Sequence, residues 1–241
     1  MISVCLAAYE NDTYLEHQIM SILCQLGEFD EIVISDDSMS DKVLKLCKKI
    51  NDKKIKYVTG PKKGVIKNFE NALCHVTGDI IFLSDQDDVW LENKVTECKK
   101  YLMKYDLVIS NAIVVDEDLN IIDKLLYKTE IKSFNIPSTL FKNKFIGCCM
   151  AFNKKILKNS LPFPKNIPMH DWWIGLIGIA KGNVAYCHTP LIKYRRHQES
   201  LTQTGRVSLN SFVKKVFFRL NLIKSLLIFF IGDIKTKFDR N

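Results

Sequence analysis

Several patterns that define common protein classes are absent from this sequence of 241 residues. No Gly-x-Gly-x-x-Gly follows the first apolar segment, which weighs against a dinucleotide-binding fold, and no Walker A sequence is present. No apolar run approaches the ~20 residues that a transmembrane helix requires. No internal repeat or low-complexity linker interrupts the chain, whose length suits one large α/β domain or one domain with a tail.

Paired cysteine motifs are also missing, although the chain has eight cysteines. The cysteines are scattered, and several lie at apolar positions of predicted strands or helices, which favours reduced core thiols over disulfides or a zinc site. No signal peptide precedes the first predicted strand, because Met1 leads directly into it. We therefore expect a cytoplasmic protein.

The body of the chain carries little excess charge of either sign. Of the net charge of +8, residues 206–241 contribute +6, from eight Lys or Arg against two Asp. A protein that binds nucleic acid through a diffuse surface is expected to be basic in its body. Because the basic residues are concentrated in the tail, the sequence predicts no nucleic-acid partner.

The segment that organises the rest of the chain is residues 80–90, where an apolar run ends in acidic residues. The run Ile80–Ser84 predicts a short strand that is buried on both faces. Asp85, Asp87 and Asp88 follow it, and burying carboxylates so close together requires a cation or many hydrogen-bond donors. Mg²⁺ commonly binds one or two carboxylates together with substrate phosphates. The segment therefore predicts a metal–diphosphate site; the alternative is a solvated acidic turn that caps the next helix.

Strands and helices are predicted to alternate over the first 105 residues. The predicted strands are residues 2–8, 31–35, 55–59 and 80–84, and the predicted helices are residues 13–26, 41–50, 65–76 and 92–104. This alternation is typical of βαβ units around a parallel sheet. Tyr9, Asp36 and Asp37 follow the first two strands. Because the carboxyl ends of parallel strands share one edge, these residues and the acidic segment can converge on one ligand.

The pattern changes after residue 106. Further strands are predicted at 107–115, 145–152 and 184–193, a helix at 170–181, and a mobile, partly helical segment over the site at 120–145. The predicted organisation is a catalytic domain at 1–205, divided into a nucleotide-binding half at 1–105 and an acceptor-binding half at 106–205. A basic tail at 206–241 follows.

The tail mixes apolar and basic residues at helical spacing. Its longest uninterrupted apolar run is residues 226–231, which is far too short to cross a bilayer. Residues 208–231 favour a basic amphipathic helix at the anionic inner face of the cell membrane, where the protein would be peripheral. The alternative is a helix that packs on the catalytic domain or on a partner subunit.

Taken together, these segments resemble the family 2 glycosyltransferases of the GT-A fold, notably the bacterial rhamnosyltransferase-like branch. The matching segments are residues 4–9, 32–38, 82–90, 170–172 and 194–197. Each motif is weak alone, but the ordered set over residues 1–205 is specific. The resemblance implies an α/β fold of GT-A type, with a Rossmann-like, mostly parallel central sheet flanked by helices and followed by the C-terminal amphipathic helical tail.

The resemblance also implies a reaction and its residues. An inverting enzyme would move a sugar from a UDP or dTDP donor to an acceptor hydroxyl, with Mn²⁺ or Mg²⁺ as cofactor. Asp171, at the start of a helix whose dipole favours a carboxylate, would be the general base, and Asp87 and His197 would bind the metal. The residues implied to bind the nucleotide sugar are Ala7, Tyr9, Asp37, Lys67, Asp85, Gln86, Arg195 and Arg196.

Within this set, the resemblance implies separate roles. Tyr9 would stack on the base, Asp37 would accept hydrogen bonds from the base or ribose, and Asp85 would lie on the ribose side. Arg195 and Arg196 would meet phosphate oxygens, which suit the guanidinium fork. The acceptor would be a glycan or a lipid-linked glycan in the synthesis of a bacterial capsule, O-antigen or exopolysaccharide, and an oligomer is compatible with the sequence.

Three positions depart from the family pattern. Glu10 replaces the usual Asn, and a carboxylate beside a diphosphate is unfavourable unless it points away or binds a cation. The family's Arg on the third helix is absent, so Lys67 or Asn68 would have to serve. His170 precedes Asp171 where the family has Glu. No Gln-x-x-Arg-Trp follows, which weighs against a processive synthase.

Two alternative functions remain open from the sequence. A nucleotidyltransferase would need a Gly- and Arg-rich phosphate loop after the first strand, and residues 8–11 do not supply one. A catalytically inactive GT-A domain could act as a membrane-associated assembly module. The retention of Asp85, Asp87 and Asp171 argues against that second alternative.

Overall fold

The structure is a computed structural model that describes residues 1–10, 13–196 and 212–238, with side chains of the last helix described for residues 213–232. The strands are β1 Ile2–Ala8, β2 Glu31–Asp36, β3 Ile55–Thr59, β4 Ile80–Ser84, β5 Val89–Trp90, β6 Leu107–Val115, β7 Ile121–Asp123, β8 Met150–Asn153 and β9 Val184–Arg195. The helices are α1 Leu15–Leu23, α2 Lys42–Ile50, α3 Val65–His75, α4 Lys94–Leu102, α5 Ile136–Phe141, α6 Lys154–Ser160, α7 His170–Lys181 and α8 Phe212–Phe238.

Most of these strands form one continuous path in the order β3-β2-β1-β4-β8-β6-β9-β5, with β7 paired to β6. The first four strands of the path are parallel to one another, as predicted from the βαβ alternation. Strand β8 runs antiparallel between β4 and β6 and so joins the two parts of the sheet. Strands β6 and β9 are parallel, and β9 carries β5 antiparallel at the edge. The molecule is thus a mixed α/β fold with a parallel half.

The register of the parallel half places the ends of its strands at one edge. Ala8 of β1 is level with Asp36 of β2, and Leu6 of β1 is level with Ser84 of β4. The residues that follow these strands therefore emerge side by side, as expected for parallel strands whose ligands lie beyond their carboxyl ends.

The core explains why these segments form strands. In β1, β2 and β4 the central residues are buried on both faces, because helices cover the sheet on both sides; α3, for example, packs on β1 and β2. Among the described residues all eight cysteines are free, and six of them are buried. The predicted core thiols are therefore confirmed, whereas the cellular compartment stays a prediction.

The strand predicted at residues 145–152 is wrong over its first half. Residues Gly147–Cys149 form a 3-10 turn, and β8 begins only at Met150. The turn depends on a distant partner, because the Gly147 N–H donates to the Asp171 carboxylate at 3.2 Å. The short elements β5, β7 and α6 were also not predicted; β7 lies in the segment 120–145, which was expected to be partly helical. Elsewhere the predicted strands and helices are present, with ends that differ by a few residues.

Both predicted halves of the catalytic domain contribute strands to the same sheet. Residues 1–105 supply β1 to β5, and residues 106–205 supply β6 to β9 within their described part. The pairing of β4 with β8 joins the halves through backbone hydrogen bonds. The assignment of separate nucleotide-binding and acceptor-binding roles to these halves stays a prediction.

We expect Gly175→Ala to destabilise the protein, because Gly175 of α7 lies directly under the ring of Phe145. A Cβ atom at Gly175 would lie 2.2 Å from Cδ2 of that buried ring. Overpacking of this kind costs about 1–3 kcal/mol, which urea denaturation would show as a lower midpoint. The matched control is Gly232→Ala in α8, where a Cβ meets no atom within 4 Å. An equal effect of both substitutions would contradict the assigned packing.

Candidate active site

Five elements bring polar side chains to one end of the sheet. Tyr9 follows β1, Asp37 follows β2, and residues 85–88 follow β4, while Asp171 lies in the first turn of α7 and Arg195 ends β9. Direct contacts join them: the backbone N–H of Asp37 donates to the Ala8 carbonyl at 3.0 Å. Asp171 is close enough to Asp85 for its charge to raise the pKa of the Asp85 carboxyl. These residues therefore lie together at one end of the sheet, as predicted.

The acidic segment forms a buried cluster with a cysteine. One ligand atom each from Asp85, Asp88 and Cys148 lies within 4.8 Å of the others. Burial, followed by the charges of Asp87 and Asp171, raises the pKa of Asp85 to about 7. Burial, followed by the charges of Asp87 and Asp85, also raises the pKa of Asp88 well above its usual range. Each carboxylate thus resists ionisation in the absence of a positive partner.

One buried cation and one backbone donor partly balance this negative charge. Lys94 of α4 is fully buried, its Nζ donates to the Cys148 carbonyl at 2.6 Å, and its charge lowers the pKa of Asp85. The same ammonium lies 4.6 Å from the centroid of the Trp90 ring. Arg195 is also buried, and its backbone N–H donates to Oδ1 of Asp88 at 3.0 Å. A buried Lys in this position is tolerated because carboxylates surround the same space.

The chemistry of this cluster fits a divalent cation. Oδ2 of Asp88 is buried and has no hydrogen-bond partner among the described residues, which is costly for a carboxylate unless a positive group approaches it. Carboxylate oxygens are the ligands that Mg²⁺ and Mn²⁺ prefer. The carboxylates that the structure brings together are those of Asp85 and Asp88, and Asp87 lies beside them. The predicted metal ligand Asp87 stays a prediction, and His197 lies outside the described residues.

Asp171 is held in place by donors from residues 143–147 and from its own helix. Its carboxylate accepts from the Gly147 N–H at 3.2 Å and from Nδ2 of Asn143 at 3.3 Å. Burial raises the pKa of Asp171 to about 7, although hydrogen bonds from Trp172, Gly147 and Asn143 oppose the shift. A carboxyl group that is fixed in direction and titrates near neutral pH has the properties of a general base.

His170, which precedes Asp171, is neutral and packed as an aromatic ring. It is 3% exposed, it stacks on Phe69 with ring centroids 3.9 Å apart, and burial lowers its pKa to about 3. Neither ring nitrogen has a partner among the described residues. His170 therefore adds no charge beside the carboxylate of Asp171.

Tyr9 presents an exposed ring from a fixed backbone. The side-chain amide of Gln86 accepts from the Tyr9 N–H at 2.7 Å and donates to the Tyr9 carbonyl at 3.1 Å. The side chain of Tyr9 is 60% exposed, which leaves its ring available for stacking. Gln86 was predicted to bind the nucleotide sugar. The structure shows it fixing the Tyr9 backbone, and its contact with a sugar nucleotide stays a prediction.

The carboxylate of Asp37 is buried and is oriented by the loop before α3. It accepts from the Lys62 N–H at 2.8 Å and from the Gly64 N–H at 3.0 Å. Gly60 leaves room for this arrangement, because a Cβ there would lie 2.2 Å from Oδ1 of Asp37. Its neighbour Asp36 instead accepts from the Tyr57 hydroxyl at 2.9 Å and from Ser38, so Asp36 stabilises the turn.

Glu10, the extra carboxylate, points away from the acidic cluster. It accepts from the Met39 N–H at 2.6 Å and from the Ser40 hydroxyl at 2.7 Å. The hydrogen bond from Ser40, followed by that from Met39, lowers the pKa of Glu10. Donors from the loop between β2 and α2 thus stabilise the negative charge of Glu10.

The residues proposed to replace the missing arginine lie on α3. Lys67 forms an ion pair with Glu70, whose other oxygen accepts from the Phe163 N–H at 2.6 Å. Asn68 is buried and donates to the Ala8 carbonyl at 2.9 Å, and its Oδ1 has no partner among the described residues. Ala7 lies half-buried in β1, beside these groups. Their contacts with a nucleotide stay predictions.

Arg195, the last residue of β9, and Arg196, the residue after it, both donate hydrogen bonds to backbone carbonyls. The Arg195 guanidinium donates to the carbonyls of Asp87, at 2.7 Å, and Glu117, and it lies 4.3 Å from the centroid of the Tyr14 ring. The Arg196 N–H donates to the Val115 carbonyl at 2.9 Å. Arg195 therefore positions the acidic segment, and phosphate binding by either arginine stays a prediction.

Several residues that build the site were not identified from the sequence. Lys94, Cys148 and Asn143 lie in segments without a recognisable motif, and they reach the site only through the fold. Gln18 of α1 is fully buried and donates to the Ser84 hydroxyl at 2.6 Å and to the Asp85 carbonyl at 3.2 Å. A polar residue on the apolar face of a predicted helix was the available signal for Gln18.

Solved structures identify the fold as that of GT-A glycosyltransferases. Residues 1–349 of S. aureus TarS, in complex with UDP-GlcNAc, match with a TM-score of 0.70 and 16% identity, over 92% of this chain and 66% of that chain. The mannosyltransferase PcManGT from Pyrobaculum calidifontis, in complex with GDP-Man and Mn²⁺, matches with a TM-score of 0.55 and 16% identity, over 78% of this chain and 54% of that chain. The predicted fold class is confirmed.

Sequence comparison gives the family. Residues 3–161 match the family described as Glycosyl transferase family 2, and the chain belongs to this family. WfgD of Escherichia coli, a UDP-Glc:α-D-GlcNAc-diphosphoundecaprenol β-1,3-glucosyltransferase, is 25% identical over 84% of this chain and 79% of its own length. The dTDP-rhamnosyl transferase RfbG of Shigella flexneri is 25% identical over 91% of this chain and 79% of its own length. The predicted resemblance is confirmed, and the chain is a glycosyltransferase.

We expect Lys94→Met to destabilise the protein by about 3–5 kcal/mol, because it leaves buried carboxylates without their cation. Part of the lost stability should be recovered when Lys94→Met is combined with Asp85→Asn, because the second change removes a negative charge that Lys94 balances. Urea denaturation measures both effects. Lys100→Met, on the exposed surface of the same helix, is the matched control and should change stability by less than about 0.5 kcal/mol. Strictly additive effects of the first two changes would contradict the coupling.

We expect the stability of Asp171→Asn, relative to the wild type, to rise as the pH is raised. The folded-state pKa of Asp171, about 7, exceeds its ordinary value of 3.8, so the folded state holds a proton that the unfolded state has lost. Its contribution to stability is therefore lost as the pH rises from about 4 to about 7. Between about pH 5 and pH 8 the wild type should lose roughly 2–3 kcal/mol relative to the variant.

Urea denaturation at several pH values measures this difference. The matched control is Asp118→Asn, because Asp118 is exposed and lies in a turn. A stability difference between wild type and Asp171→Asn that does not change with pH would contradict the assigned pKa.

Proposed function

We propose that this glycosyltransferase moves a sugar from a nucleoside diphosphate to an acceptor hydroxyl, with inversion at the anomeric carbon, in the synthesis of a bacterial surface polysaccharide. The observation that carries the proposal is the position of Asp171. Its oriented carboxyl, with a pKa of about 7, lies against the acidic cluster at the strand ends. One site thus combines a base with a group of carboxylates suited to a metal-bound diphosphate.

The donor would occupy the strand ends between Tyr9 and the acidic segment. The exposed ring of Tyr9 offers a stacking surface for the base. Asp37 lies beside it, and its fixed carboxylate suits hydrogen bonds from the base or ribose. TarS, which has the same fold, is known in complex with UDP-GlcNAc and with UDP. These observations support a UDP or dTDP donor.

Asp85, Asp87 and Asp88 would hold Mn²⁺ or Mg²⁺ beside the diphosphate. When bound, such an ion supplies positive charge that stabilises the departing diphosphate. The carboxylates need that ion as well, because burial and mutual repulsion raise the pKa of Asp85 and Asp88. Lys94 donates to the carbonyl of Cys148, and Arg195 donates to the carbonyl of Asp87, which positions the acidic segment.

Asp171 would act on the acceptor. It takes the proton of the acceptor hydroxyl as that oxygen forms a bond to the anomeric carbon, while the bond from that carbon to the diphosphate oxygen breaks and its electron pair leaves with the diphosphate. Attack opposite to the leaving group inverts the anomeric centre. The hydrogen bonds from Gly147 and Asn143 fix the direction of the base.

The relatives support the class of product. WfgD is named for transfer of glucose to a diphosphoundecaprenol-linked sugar, and WbnJ of Escherichia coli, 26% identical over 89% of this chain, is named for O-antigen biosynthesis. A glycan acceptor carried on a lipid diphosphate fits an enzyme of this group. The location that we propose is the bacterial cytoplasm, with the acceptor at the inner face of the membrane.

We expect two substitutions to separate donor binding from transfer. Asp87→Ala should abolish the Mn²⁺-dependent rise in melting temperature with the sugar nucleotide, because it removes the proposed metal ligand. Asp171→Asn should keep that rise but lower donor turnover by about 10²–10⁴, since the base is lost. A thermal-shift panel of UDP-, dTDP- and GDP-sugars identifies the donor for the rate measurement. Asp118→Asn is the control, and equal turnover in all variants would overturn the proposal.

A further inference from the structure

Helix α8 has two apolar faces, and one of them packs on the rest of the chain. Leu222, Ser225 and Leu226 are buried, and with Phe229 they have the i, i+3, i+4, i+7 spacing of one helix face. The ring of Phe229 lies 6.2 Å from that of Trp173 in α7, and the Lys181 ammonium lies 5.1 Å from its centroid. The alternative expected from the sequence, a tail that packs on the catalytic domain, therefore holds for this face.

The other apolar face of α8 is exposed to solvent. Nine large apolar residues there are between 36% and 76% exposed: Val213, Val216, Phe217, Leu220, Ile223, Leu227, Ile228, Phe230 and Ile231. At about 100° per residue, the centre of this set lies roughly opposite to the packing face. Soluble proteins rarely expose a contiguous apolar surface of this size, so we expect a binding partner or a membrane to cover this face.

Positive charge accompanies the exposed face. Between residues 212 and 232, helix α8 has four Lys or Arg and no Asp or Glu. Lys224 lies among the outward apolar residues, and Arg219 lies at their edge. Nη2 of Arg219 donates to the Phe141 carbonyl at 2.7 Å, and the Phe141 ring is 74% exposed. The apolar and basic surface thus continues from α8 onto the end of α5.

We infer that this outward face of α8, together with Phe141, lies in the interfacial layer of an anionic lipid bilayer. Lipid phosphates complement the basic residues, whereas a second copy of the chain would bring like charges together. No helix in the part of the chain described here has the length and apolar character needed to cross a bilayer. In this proposal the helix lies along the surface, with its outward apolar residues toward the acyl chains.

This orientation places the base near the membrane. Helix α8 packs on α7, whose first turn carries Asp171, and on α5, which ends two residues before Asn143. Asn143 donates to Asp171, so the surface that would meet the bilayer is linked to the acceptor side of the site. If the proposed function holds, the acceptor class is a sugar carried on a lipid. The membrane contact itself does not depend on that function.

The test is co-sedimentation of the full chain with vesicles. With vesicles of phosphatidylglycerol and phosphatidylethanolamine, the wild type should bind at least about tenfold more than with phosphatidylcholine vesicles, and added salt should weaken the binding. Leu220→Glu combined with Leu227→Glu should reduce binding at least about tenfold, because both side chains would enter the acyl boundary. Phe29→Glu combined with Met103→Glu adds the same charge at exposed apolar residues elsewhere and should bind like the wild type.

Three results would overturn the inference: no binding of the wild type to anionic vesicles, equal loss in both double variants, or no loss in either. A wild-type dimer that Leu220→Glu combined with Leu227→Glu dissociates would identify a second copy as the occupant instead. Each variant is also tested for the donor-dependent thermal shift, which should be unchanged. If the wild type shows no donor-dependent thermal shift, the proposed function is contradicted. The vesicle result would still test the membrane contact.

Discussion

The structure depends on the burial of several carboxylates at one edge of its sheet. Asp85, Asp88 and Asp171 all have raised pKa values, so each ionised form is costly until a positive group approaches. Lys94 of α4 supplies part of that charge, and the backbone N–H of Arg195 in β9 donates to Asp88. The incomplete compensation leaves a strong preference for a cation and for the phosphates that accompany it.

The same contacts join the two halves of the domain. Arg195, from the last strand, donates to the carbonyl of Asp87, and Lys94 of α4 donates to the carbonyl of Cys148. The residues that build the site therefore also connect the halves. Residues that make an enzyme active often reduce its stability, and the buried carboxylates show the physical origin of that trade-off here.

Much of the fold was predictable because its signals are local. Buried parallel strands appear as apolar runs, and their shared edge predicted that Tyr9, Asp37 and the acidic segment would meet. The 3-10 turn at Gly147 was not predictable, since it depends on a hydrogen bond to Asp171, 24 residues away in the chain. The burial of Lys94 was not predictable for the same reason, because its partners come from distant segments. A Lys near the start of a helix usually lies in solvent.

The contact between Gln86 and Tyr9 bears on how the enzyme would choose its nucleotide. The amide of Gln86 fixes the backbone of Tyr9, whereas the ring of Tyr9 stays exposed. Every nucleobase has a π-face, so such a platform accepts uracil, thymine and guanine with little preference. Discrimination between bases would then fall to Asp37, whose carboxylate is held by two backbone donors. A different nucleotide preference would then require a change in the loop at residues 60–64, with the aromatic ring unaltered.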